Sequence, residues 1–322
     1  MNILHKIFFV FLIFFMGQIN SHNNLSPEFA DWVNKELKPL ALKKGISEET
    51  LNRALKDIQH LPTAIKLDGS QPEQKQNLSE YQEKRIPPRL STARKKAKTH
   101  KKLLEHIQSK YGIPKEIILA LWGLESNFGK NTGQFITVHA LATLAFEGRR
   151  REFFTKELVE ALKILQDQKM ETQHLKGSWA GALGQCQFMP STFNAHAVDA
   201  TQKGFKDIWN STEDVFESIA NYLSNSGWKS NEKWGIEVIL PPDFDEKLAT
   251  LDTQESASYW AKLGVKPARS GESLPNLKGS IIIPANHKKA FLVYNNFRVI
   301  LKWNRSICFA LTVCQFADQI KS

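Results

Sequence analysis

A single acidic side chain, Glu125, stands in the largely apolar segment 120–129 (ALWGLESNFG). The helical spacing of apolar residues around it predicts a buried helix, and the glycines at 129 and 133 predict that this helix ends within a turn. Burial and the negative end of the helix dipole both favour the neutral carboxyl group. A carboxylic acid that stays protonated near neutral pH suits general acid catalysis of glycosidic cleavage. The alternative is a structural Glu that caps a neighbouring helix or pairs with an arginine, and this segment alone leaves both interpretations open.

A second informative segment is 177–193 (GSWAGALGQCQFMPSTF). Its three glycines in eight residues allow the backbone to come close to another part of the molecule. Ser178, Gln185 and Gln187 offer neutral hydrogen-bonding groups, and Trp179 offers a flat apolar face. This mixture suits carbohydrate, which has apolar ring faces and many hydroxyl groups. A tight joint between two helices would use the same glycines, so the segment alone is weak evidence.

The elements that position these segments are predicted to be mainly helical. Ser26 and Ser47 are predicted N-caps, the first with Pro27 at the first helical position. The residues at 111–114 (YGIP) end one helix and begin the one that carries Glu125. Further helices are predicted at 137–146, 151–165, 212–223 with Thr212 as cap, 256–263 and 306–320. Four β-like runs are predicted at 236–240, 281–283, 291–294 and 299–301.

Composition and charge describe an ordinary globular protein with a distinct beginning. The 322 residues are 42% hydrophobic and 24% charged, enough for one large core or two modest ones. Residues 1–21 combine Lys6 with an apolar run at 7–16 and a short polar end, which predicts a cleaved secretory signal peptide; an uncleaved anchor is the alternative. No cysteine lies near the cleavage region, so we expect a periplasmic protein without a lipid anchor.

The charge balance indicates an anionic partner. Removing residues 1–21 lowers the net charge from 43 − 33 = +10 to 42 − 33 = +9, which suits a polyanionic surface. The basic run 94–102 (RKKAKTHKK) is interpreted as a solvated helix face, because no nucleic-acid motif accompanies it. Cys186, Cys308 and Cys314 are interpreted as small apolar residues without a disulfide framework.

Taken together, these motifs give the chain a family resemblance. From residue 26 to 320 it resembles the lytic murein transglycosylase B family of bacterial peptidoglycan-cleaving enzymes. Besides the two segments above, the resemblance rests on five motifs: HALATLAFEGRRREFFTKEL (139–158), SIANYL (218–223), GW (227–228), YNNF (294–297) and WNRS (303–306). It implies a mainly α fold, with a lysozyme-like helical core, a helical N-terminal region and a small α+β insertion near the C-terminus. The expected regions are a signal peptide (1–21), the N-terminal region (22–110), the catalytic core (111–234), the α+β subdomain (235–301) and a C-terminal helix returning to the core (302–322).

The resemblance also implies which residues act. Glu125 lies at the position of the family's catalytic acid. The implied substrate-binding residues are Ser178, Gln187, Tyr222, Trp303, Asn304, Arg149 and Arg150. The two arginines match a pair expected near the peptide stem, whose carboxylates they could hold.

Two departures from the family pattern matter. Phe309 stands where relatives carry a Tyr, which removes a hydroxyl group. Some relatives have a calcium-binding, EF-hand-like loop, and the matching stretch here is 199–210. Only Asp199 suits a ligand position, whereas Lys203 places a cation at another. We therefore expect the shape of the loop without a metal, and no cofactor.

The resulting expectation is a lytic transglycosylase that cleaves the β-1,4 bond between N-acetylmuramic acid and N-acetylglucosamine and forms 1,6-anhydromuramic acid. The expected partner is the peptidoglycan glycan strand, with no nucleic acid. Other cell-wall enzymes are further candidate partners, and the protein is expected to be a monomer. One alternative is a hydrolytic muramidase, which needs a second carboxylate such as Glu147 or Glu152. Another is a non-catalytic peptidoglycan-binding protein, which only Phe309 supports.

Overall fold

The computed structural model describes residues 26–69, 77–147, 149–285 and 289–321, and these are mainly helical. The predicted signal peptide lies outside the described residues. The helices are, in chain order, α1 (Pro27–Trp32), α2 (Lys38–Lys43), α3 (Glu48–Leu55), α4 (Pro62–Gly69), α5 (Leu78–Arg85), α6 (Pro87–Thr99), α7 (Lys101–Tyr111), α8 (Lys115–Ser126), α9 (Thr137–Glu147), α10 (Arg151–Asp167), α11 (Pro190–His196), α12 (Thr212–Asn225), α13 (Ala257–Lys262), α14 (Asn295–Trp303) and α15 (Ile307–Lys321). A π-helical turn, Val33–Leu37, joins α1 to α2. None of the helices in these ranges is long and apolar enough to cross a membrane.

Two small antiparallel sheets complete the fold. The first pairs β1 (Phe135–Ile136) with β2 (Lys176–Gly177). The second contains β3 (Gly235–Ile239), β4 (Lys266–Pro267), β5 (Ser280–Ile282) and β6 (Ala290–Val293) in the order β4-β3-β6-β5. The predicted fold class is confirmed.

The chain divides into two compact units. Within the described residues, the first unit comprises 77–124 and 219–321, and the second unit comprises 26–69 and 125–218. Glu125 and the glycine-rich segment 177–193 belong to the second unit, whereas the four-stranded sheet belongs to the first.

The core of the second unit is formed mainly by α9 and α10. Leu141 in α9 and Leu158 and Leu162 in α10 are completely buried. In addition, α9 is tied to the chain before α4, because the Leu61 backbone N–H donates to Thr143 Oγ1 at 2.9 Å. These two helices therefore provide a rigid support for the β1–β2 pair, which directly precedes the glycine-rich segment.

The core of the first unit includes an apolar cluster on one face of the four-stranded sheet. Trp260 from α13 is completely buried there with Ile281 and Leu292. Its indole Nε1 donates to the Gly279 carbonyl at 2.9 Å, so this large ring is buried without an unsatisfied donor.

The prediction of a strand at 299–301 is wrong, because these residues belong to α14. Phe297 and Ile300 are completely buried at helical spacing. Asn296 anchors the first turn, since its side chain donates to the carbonyls of Lys229 and Glu232, both at 2.8 Å. Tertiary packing has overridden the strand propensity of a short β-branched run.

Most predicted helix starts are confirmed. The Ser26 and Ser47 hydroxyls accept from the backbone N–H groups of Phe29 and Thr50. The cap of α12 was misplaced by one residue: Asp214 N–H donates to Ser211 Oγ at 3.2 Å, and Thr212 is the first helical residue. All three cysteines are free thiols, and Cys308 and Cys314 lie in α15.

Candidate active site

Glu125 lies in the last turn of α8 and is half-buried. The helix ends one residue later, where Asn127, Phe128 and Gly129 all have positive φ angles of 51°, 59° and 83°. Ser126 secures this turn, because its hydroxyl accepts from Gly129 N–H at 3.1 Å. The predicted helix end is confirmed. Two consecutive non-glycine residues in the left-handed region are uncommon, and such strain is concentrated at functional sites.

The turn after Glu125 packs closely against the glycine-rich segment. A Cβ on Gly129 would lie 2.3 Å from Gln185 Oε1, and one on Gly133 would lie 2.0 Å from the Gly177 carbonyl. Gly133 must be glycine because a Cβ there would overlap the Gly177 backbone, whereas Gly129 favours glycine through its φ of 83°. Within the segment, a Cβ on Gly184 would lie 2.6 Å from the Ile208 carbonyl oxygen, so the expectation that its glycines allow a close backbone approach is confirmed.

Ser178 organises the turn that follows β2. Its hydroxyl accepts from the backbone N–H groups of Ala180 and Ala182, at 3.3 Å and 3.1 Å. Its own N–H donates to the Ala182 carbonyl at 2.8 Å. Ser178 is buried, yet its hydroxyl proton can still be donated to another acceptor.

Gln187 presents an acceptor without a partner. Its backbone has a positive φ of 51°, and its amide Nε2 donates to the Gly184 carbonyl at 2.8 Å. The amide oxygen Oε1 is buried and has no hydrogen-bond partner among the described residues. A buried polar atom without a hydrogen-bond partner calls for an explanation. One explanation is that this oxygen accepts a hydrogen bond from a bound ligand.

Cys186 connects Glu125 with the glycine-rich segment. Burial raises the pKa of its thiol well above the usual value, and the negative charges of Glu125 and Asp214 raise it further. The thiol is completely buried and contacts the Val215 carbonyl at 3.6 Å. Cys186 is therefore an unreactive packing residue, and the Glu125 carboxyl is close enough for its charge to affect the thiol.

Arg149 and Arg150 share one carboxylate, Asp68. Arg149 Nε donates to Asp68 Oδ2 at 2.9 Å, and Arg150 Nη2 donates to Asp68 Oδ1. Burial raises the pKa of Asp68, but the two arginines outweigh this effect and hold the pKa below its usual value. Arg150 also lies over the Phe154 ring at 4.7 Å. Asp68 was missed from the sequence, because it lies 81 residues before Arg149 and no local pattern links them.

The remaining predicted site residues lie in the first unit. Tyr222 and Trp303 pack edge to face, with ring centroids 4.9 Å apart. Asn304 ends α14, and its Oδ1 accepts from Ser306 N–H at 3.0 Å. Phe309 is buried at 2% exposure. Of the predicted site residues, Glu125, Arg149, Arg150, Ser178 and Gln187 belong to the second unit, and Tyr222, Trp303 and Asn304 belong to the first. Within the second unit, the contacts described here bring the turn after Glu125 to the glycine-rich segment, whereas the two arginines meet Asp68 and Phe154.

The loop at 199–210 satisfies its carboxylates with its own backbone. Asp199 accepts from the N–H groups of Lys203 and Gly204 at 3.1 Å and 2.7 Å. Asp214, which is completely buried, accepts from Ala200 and Asp207 N–H groups. Within the described ranges, no group of three or more His, Cys, Asp or Glu side chains is arranged to hold a metal ion. The absence of calcium stays a prediction.

The described residues are mainly helical and place one half-buried glutamate beside a glycine-rich turn, an arrangement that fits the lysozyme-like class of proteins. The chain belongs to the transglycosylase SLT domain family, which matches residues 28–318. The resemblance inferred from the sequence motifs is thereby confirmed.

Individual relatives agree with this assignment. The membrane-bound lytic murein transglycosylase B of Escherichia coli K12 is 31% identical over 214 residues, which are 65% of this chain and 58% of that relative. The match therefore spans less than two thirds of the relative's length.

Solved structures cover most of the chain. The structure of SltB3 from Pseudomonas aeruginosa in complex with NAG-anhNAM-pentapeptide has a TM-score of 0.85 and 39% identity, covering 92% of this chain and 80% of that one. The Escherichia coli lytic transglycosylase Slt35 in complex with calcium has a TM-score of 0.76 and 26% identity, covering 92% and 93%.

Proposed function

We propose that this protein is a lytic transglycosylase of peptidoglycan. It cleaves the β-1,4 bond between N-acetylmuramic acid and N-acetylglucosamine and leaves a 1,6-anhydromuramic acid end. The observation that carries the proposal is Glu125 at the strained end of α8, close to the segment that contains Gln187. The relatives support it, since SltB3 has been solved with NAG-anhNAM-pentapeptide and with NAG-NAM-pentapeptide.

In the proposed mechanism Glu125 acts first as acid and then as base. It donates its proton to the glycosidic oxygen, the bond from C1 of the muramic acid to this oxygen breaks, and the N-acetylglucosamine part leaves as an alcohol. The substrate's own N-acetyl carbonyl stabilises the positive charge at C1, as in substrate-assisted glycosidases. The Glu125 carboxylate then takes the proton of the C6 hydroxyl while O6 bonds to C1, which regenerates the acid.

The intramolecular nucleophile favours this route over hydrolysis. A well-oriented group tethered to the same molecule has an effective concentration of about 10⁵ M or more, which water cannot match. A hydrolytic enzyme would also need a second working carboxylate. Of the two candidates, Glu147 is engaged with His60 Nε2 at 3.0 Å. Glu152 lines a cavity of about 530 Å³ beside Trp32, and Glu125 is not among the residues that line it.

The neutral site residues suit sugar recognition. We propose that Gln187 Oε1 accepts a hydrogen bond from the glycan, because this buried atom has no partner among the described residues. Ser178 can donate its hydroxyl proton while holding its turn. The Trp303 and Tyr222 rings offer apolar faces, and Asn304 is a further substrate-binding residue in this proposal. Phe309 takes no polar part.

The two arginines are proposed to hold a carboxylate of the peptide stem. With Asp68 they form a cluster of net charge +1, since two guanidinium groups share one carboxylate. The Arg149 side chain is 62% exposed, so it remains accessible to an anion from solution. Asp68 is then a positioning residue that fixes both guanidinium groups.

The test is to identify the product. Muropeptides released by the wild-type protein should end in 1,6-anhydromuramic acid, about 18 Da lighter than the hydrolysed form because no water is added. Digestion in ¹⁸O-water should leave the new C1 unlabelled. Glu125→Gln, which keeps the shape but cannot donate the proton, should lose at least ~10²–10⁴-fold in rate while still binding murein.

Each rival has its own outcome in this experiment. Reducing ends that carry ¹⁸O would identify a muramidase. Binding of murein without any cleavage by the wild-type protein would identify a non-catalytic wall protein. Near-normal turnover by the Glu125→Gln variant would refute the role of Glu125.

The cellular setting is part of the proposal. We propose a periplasmic monomer, exported through cleavage of residues 1–21 and needing no cofactor. We also keep the predicted regions 22–110, 111–234, 235–301 and 302–322 as a proposed organisation, which limited proteolysis followed by mass mapping can test.

A further inference from the structure

The basic run 94–102 has no part in the proposed chemistry, yet it forms an ordered surface. It lies on α6 and α7 in the first unit. One residue, His100, lies between these two helices. The helical hydrogen-bond pattern continues across this residue: His100 N–H donates to the Lys96 carbonyl, and Leu104 N–H donates to the His100 carbonyl, both at 2.9 Å. His100 itself has non-helical backbone angles, with φ −103° and ψ 22°, so α6 and α7 follow each other across one irregular residue.

The exposed cations of this run share one side of the helical stretch. They occupy positions i, i+1, i+4, i+7 and i+8, and we call them the basic face: Arg94, Lys95, Lys98, Lys101 and Lys102. The opposite side is the packed one, where Ala93, Leu104 and Ile107 are completely buried. The spacing matches the 3.6-residue repeat, so these side chains lie on the same side of the two helices. Arg94 also donates to the Gln319 carbonyl at 2.7 Å, and the four lysines are exposed.

Within the described ranges, one acidic side chain forms ion pairs on this face. Glu105 lies 3.9 Å from Lys101 and 4.0 Å from Lys115, so its single charge is shared between two lysines. Among the described residues, no acidic side chain forms an ion pair with Lys95, Lys98 or Lys102. Like charges three and four residues apart destabilise a helix, and Lys98 has such neighbours on both sides. A surface that repels itself in this way is relieved when an anion binds.

The chemistry of the face points to carboxylates on a hydrated polymer. Four of its five cations are lysines, which attract anionic groups as point charges and lack the planar fork with which arginine reads the edges of bases. The exposed large apolar side chains of the described residues are Leu42, Phe205, Ile239 and Leu263, and none lies on α6 or α7, although insertion into a bilayer needs such residues. Stacking of nucleic-acid bases is disfavoured as well, because Trp122, over which Lys96 lies at 5.2 Å, is buried.

We propose that the basic face is a second, non-catalytic contact with peptidoglycan, binding the carboxylates of its peptide stems and retaining the enzyme on the polymer that it cleaves. This inference rests on the proposed function, because the polymer is the proposed substrate. The contact is electrostatic and multivalent, so it weakens with salt and matters for the intact sacculus more than for a short fragment.

The test compares two triple variants in a Glu125→Gln background, by sedimentation with insoluble murein sacculi. The face variant is Lys95→Gln/Lys98→Gln/Lys102→Gln. The matched control removes the same charge from exposed lysines elsewhere in the first unit: Lys247→Gln/Lys262→Gln/Lys278→Gln. The face variant should bind at least about tenfold more weakly at low salt, where each lysine near an anionic surface contributes measurably. The control should stay within about twofold, and the difference should vanish near 1 M salt.

Three further measurements make the result specific. Sacculi whose carboxylates have been converted to amides should bind the Glu125→Gln parent, which keeps all three lysines, at least as weakly as the face variant binds untreated sacculi. The loss can be larger than in the face variant, because amidation also removes the carboxylate proposed to bind Arg149 and Arg150. The face variant should melt no lower than its parent, because relief of like-charge repulsion does not destabilise the helix. With Glu125 intact, it should cleave short soluble glycan–peptide fragments at the parental rate.

Other outcomes overturn the inference. Equal losses in both triple variants would mean that only net charge matters. A loss that persists on amidated sacculi, or a face-dependent binding to anionic phospholipid vesicles instead of sacculi, would exclude the carboxylate contact. Failure of the proposed function has a different signature, since the wild-type protein would then cleave neither fragments nor sacculi.

Discussion

Glu125 combines a half-buried carboxyl with a backbone that cannot relax easily. The residues after it, Asn127 and Phe128, hold left-handed conformations that cost free energy in non-glycine residues. Glycines on both sides of the contact, including Gly129 and Gly133, allow the glycine-rich segment to press against this turn. At the scale of single residues, the site is defined by close backbone approach more than by a network of charges.

Another titratable group of the second unit, His139, makes stability depend on pH. Burial lowers its pKa to about 4, although the negative charge of Asp57 opposes this shift. The folded protein thus holds the imidazole neutral, whereas the unfolded chain protonates it near its ordinary pKa of about 6.5. The unfolded state binds more protons between these values, so stability is fully present above about pH 6.5 and is lost as the pH falls towards 4.

The predicted loss is roughly 3 kcal/mol in the free energy of unfolding across this range. Chemical denaturation of the wild type and of His139→Gln at pH 7 and pH 4.5 measures it. The variant should lack this part of the pH dependence, whereas the exposed His106→Gln should retain it. Equal pH slopes for the wild type and His139→Gln would contradict the assignment.

At the scale of elements, helix ends depend on neighbours as much as on their own sequence. The N-cap residue of α11, Met189, makes no side-chain cap. Glu157 from α10 takes this role: its carboxylate accepts from Ser191 N–H at 2.9 Å and from the Ser191 hydroxyl at 2.7 Å. Because α11 follows the turn that contains Gln187, this contact fixes one end of the candidate site.

We predict that Glu157→Ala lowers the free energy of unfolding by about 1–3 kcal/mol, since it leaves the half-buried donors of Ser191 without this acceptor. The control is Glu160→Ala. It removes the bond from Asn194 Nδ2 to the carboxylate but keeps the bond to the Glu160 carbonyl, so the loss should be about 1 kcal/mol or less. Urea denaturation measures both values. A larger loss for Glu160→Ala would show that α11 is held differently.

The loop at 199–210 gives a prediction about calcium. Its carboxylates already accept backbone N–H groups, as Asp199 does from Lys203 and Gly204, and Lys203 adds a positive charge. A ligand that binds only the folded state raises its stability. We expect that neither millimolar calcium nor a chelator changes the melting temperature. A clear rise with calcium that disappears in Asp199→Ala would mean that the loop binds the metal.

At the scale of the whole molecule, the net positive charge affects how the protein meets its proposed substrate. The chain has a net charge of +10, and the proposed substrate carries carboxylates on its peptide stems. An excess of positive charge raises the rate of encounter with such a polymer. Added salt screens the charges and reduces this effect.

The export prediction concerns residues 1–21. Expressed in a Gram-negative host, the protein should be recovered from the periplasmic fraction with its N-terminus near residue 22. N-terminal sequencing and intact mass measure this directly. A product that begins at Met1 and stays with the membrane fraction would favour the uncleaved anchor.

Much of this protein could be predicted from local sequence. Ser26 and Ser47 are caps because a short hydroxyl side chain satisfies the first free N–H groups of a helix, whatever lies elsewhere. The end of α8 after Glu125 follows from glycines that accept a positive φ. The ordered motifs likewise indicated the family, which the match over residues 28–318 confirms.

Other features were decided by tertiary structure. The run at 299–301 has strand propensity, but burial of Phe297 and Ile300 on one side of α14 makes it helical. Asp68 joins Arg149 and Arg150, and Glu157 caps α11, across separations of 81 and 34 residues. No periodicity encodes such pairs. Local propensities specify the elements, whereas contacts between distant carboxylates and their donors arise only when packing brings them out of water together.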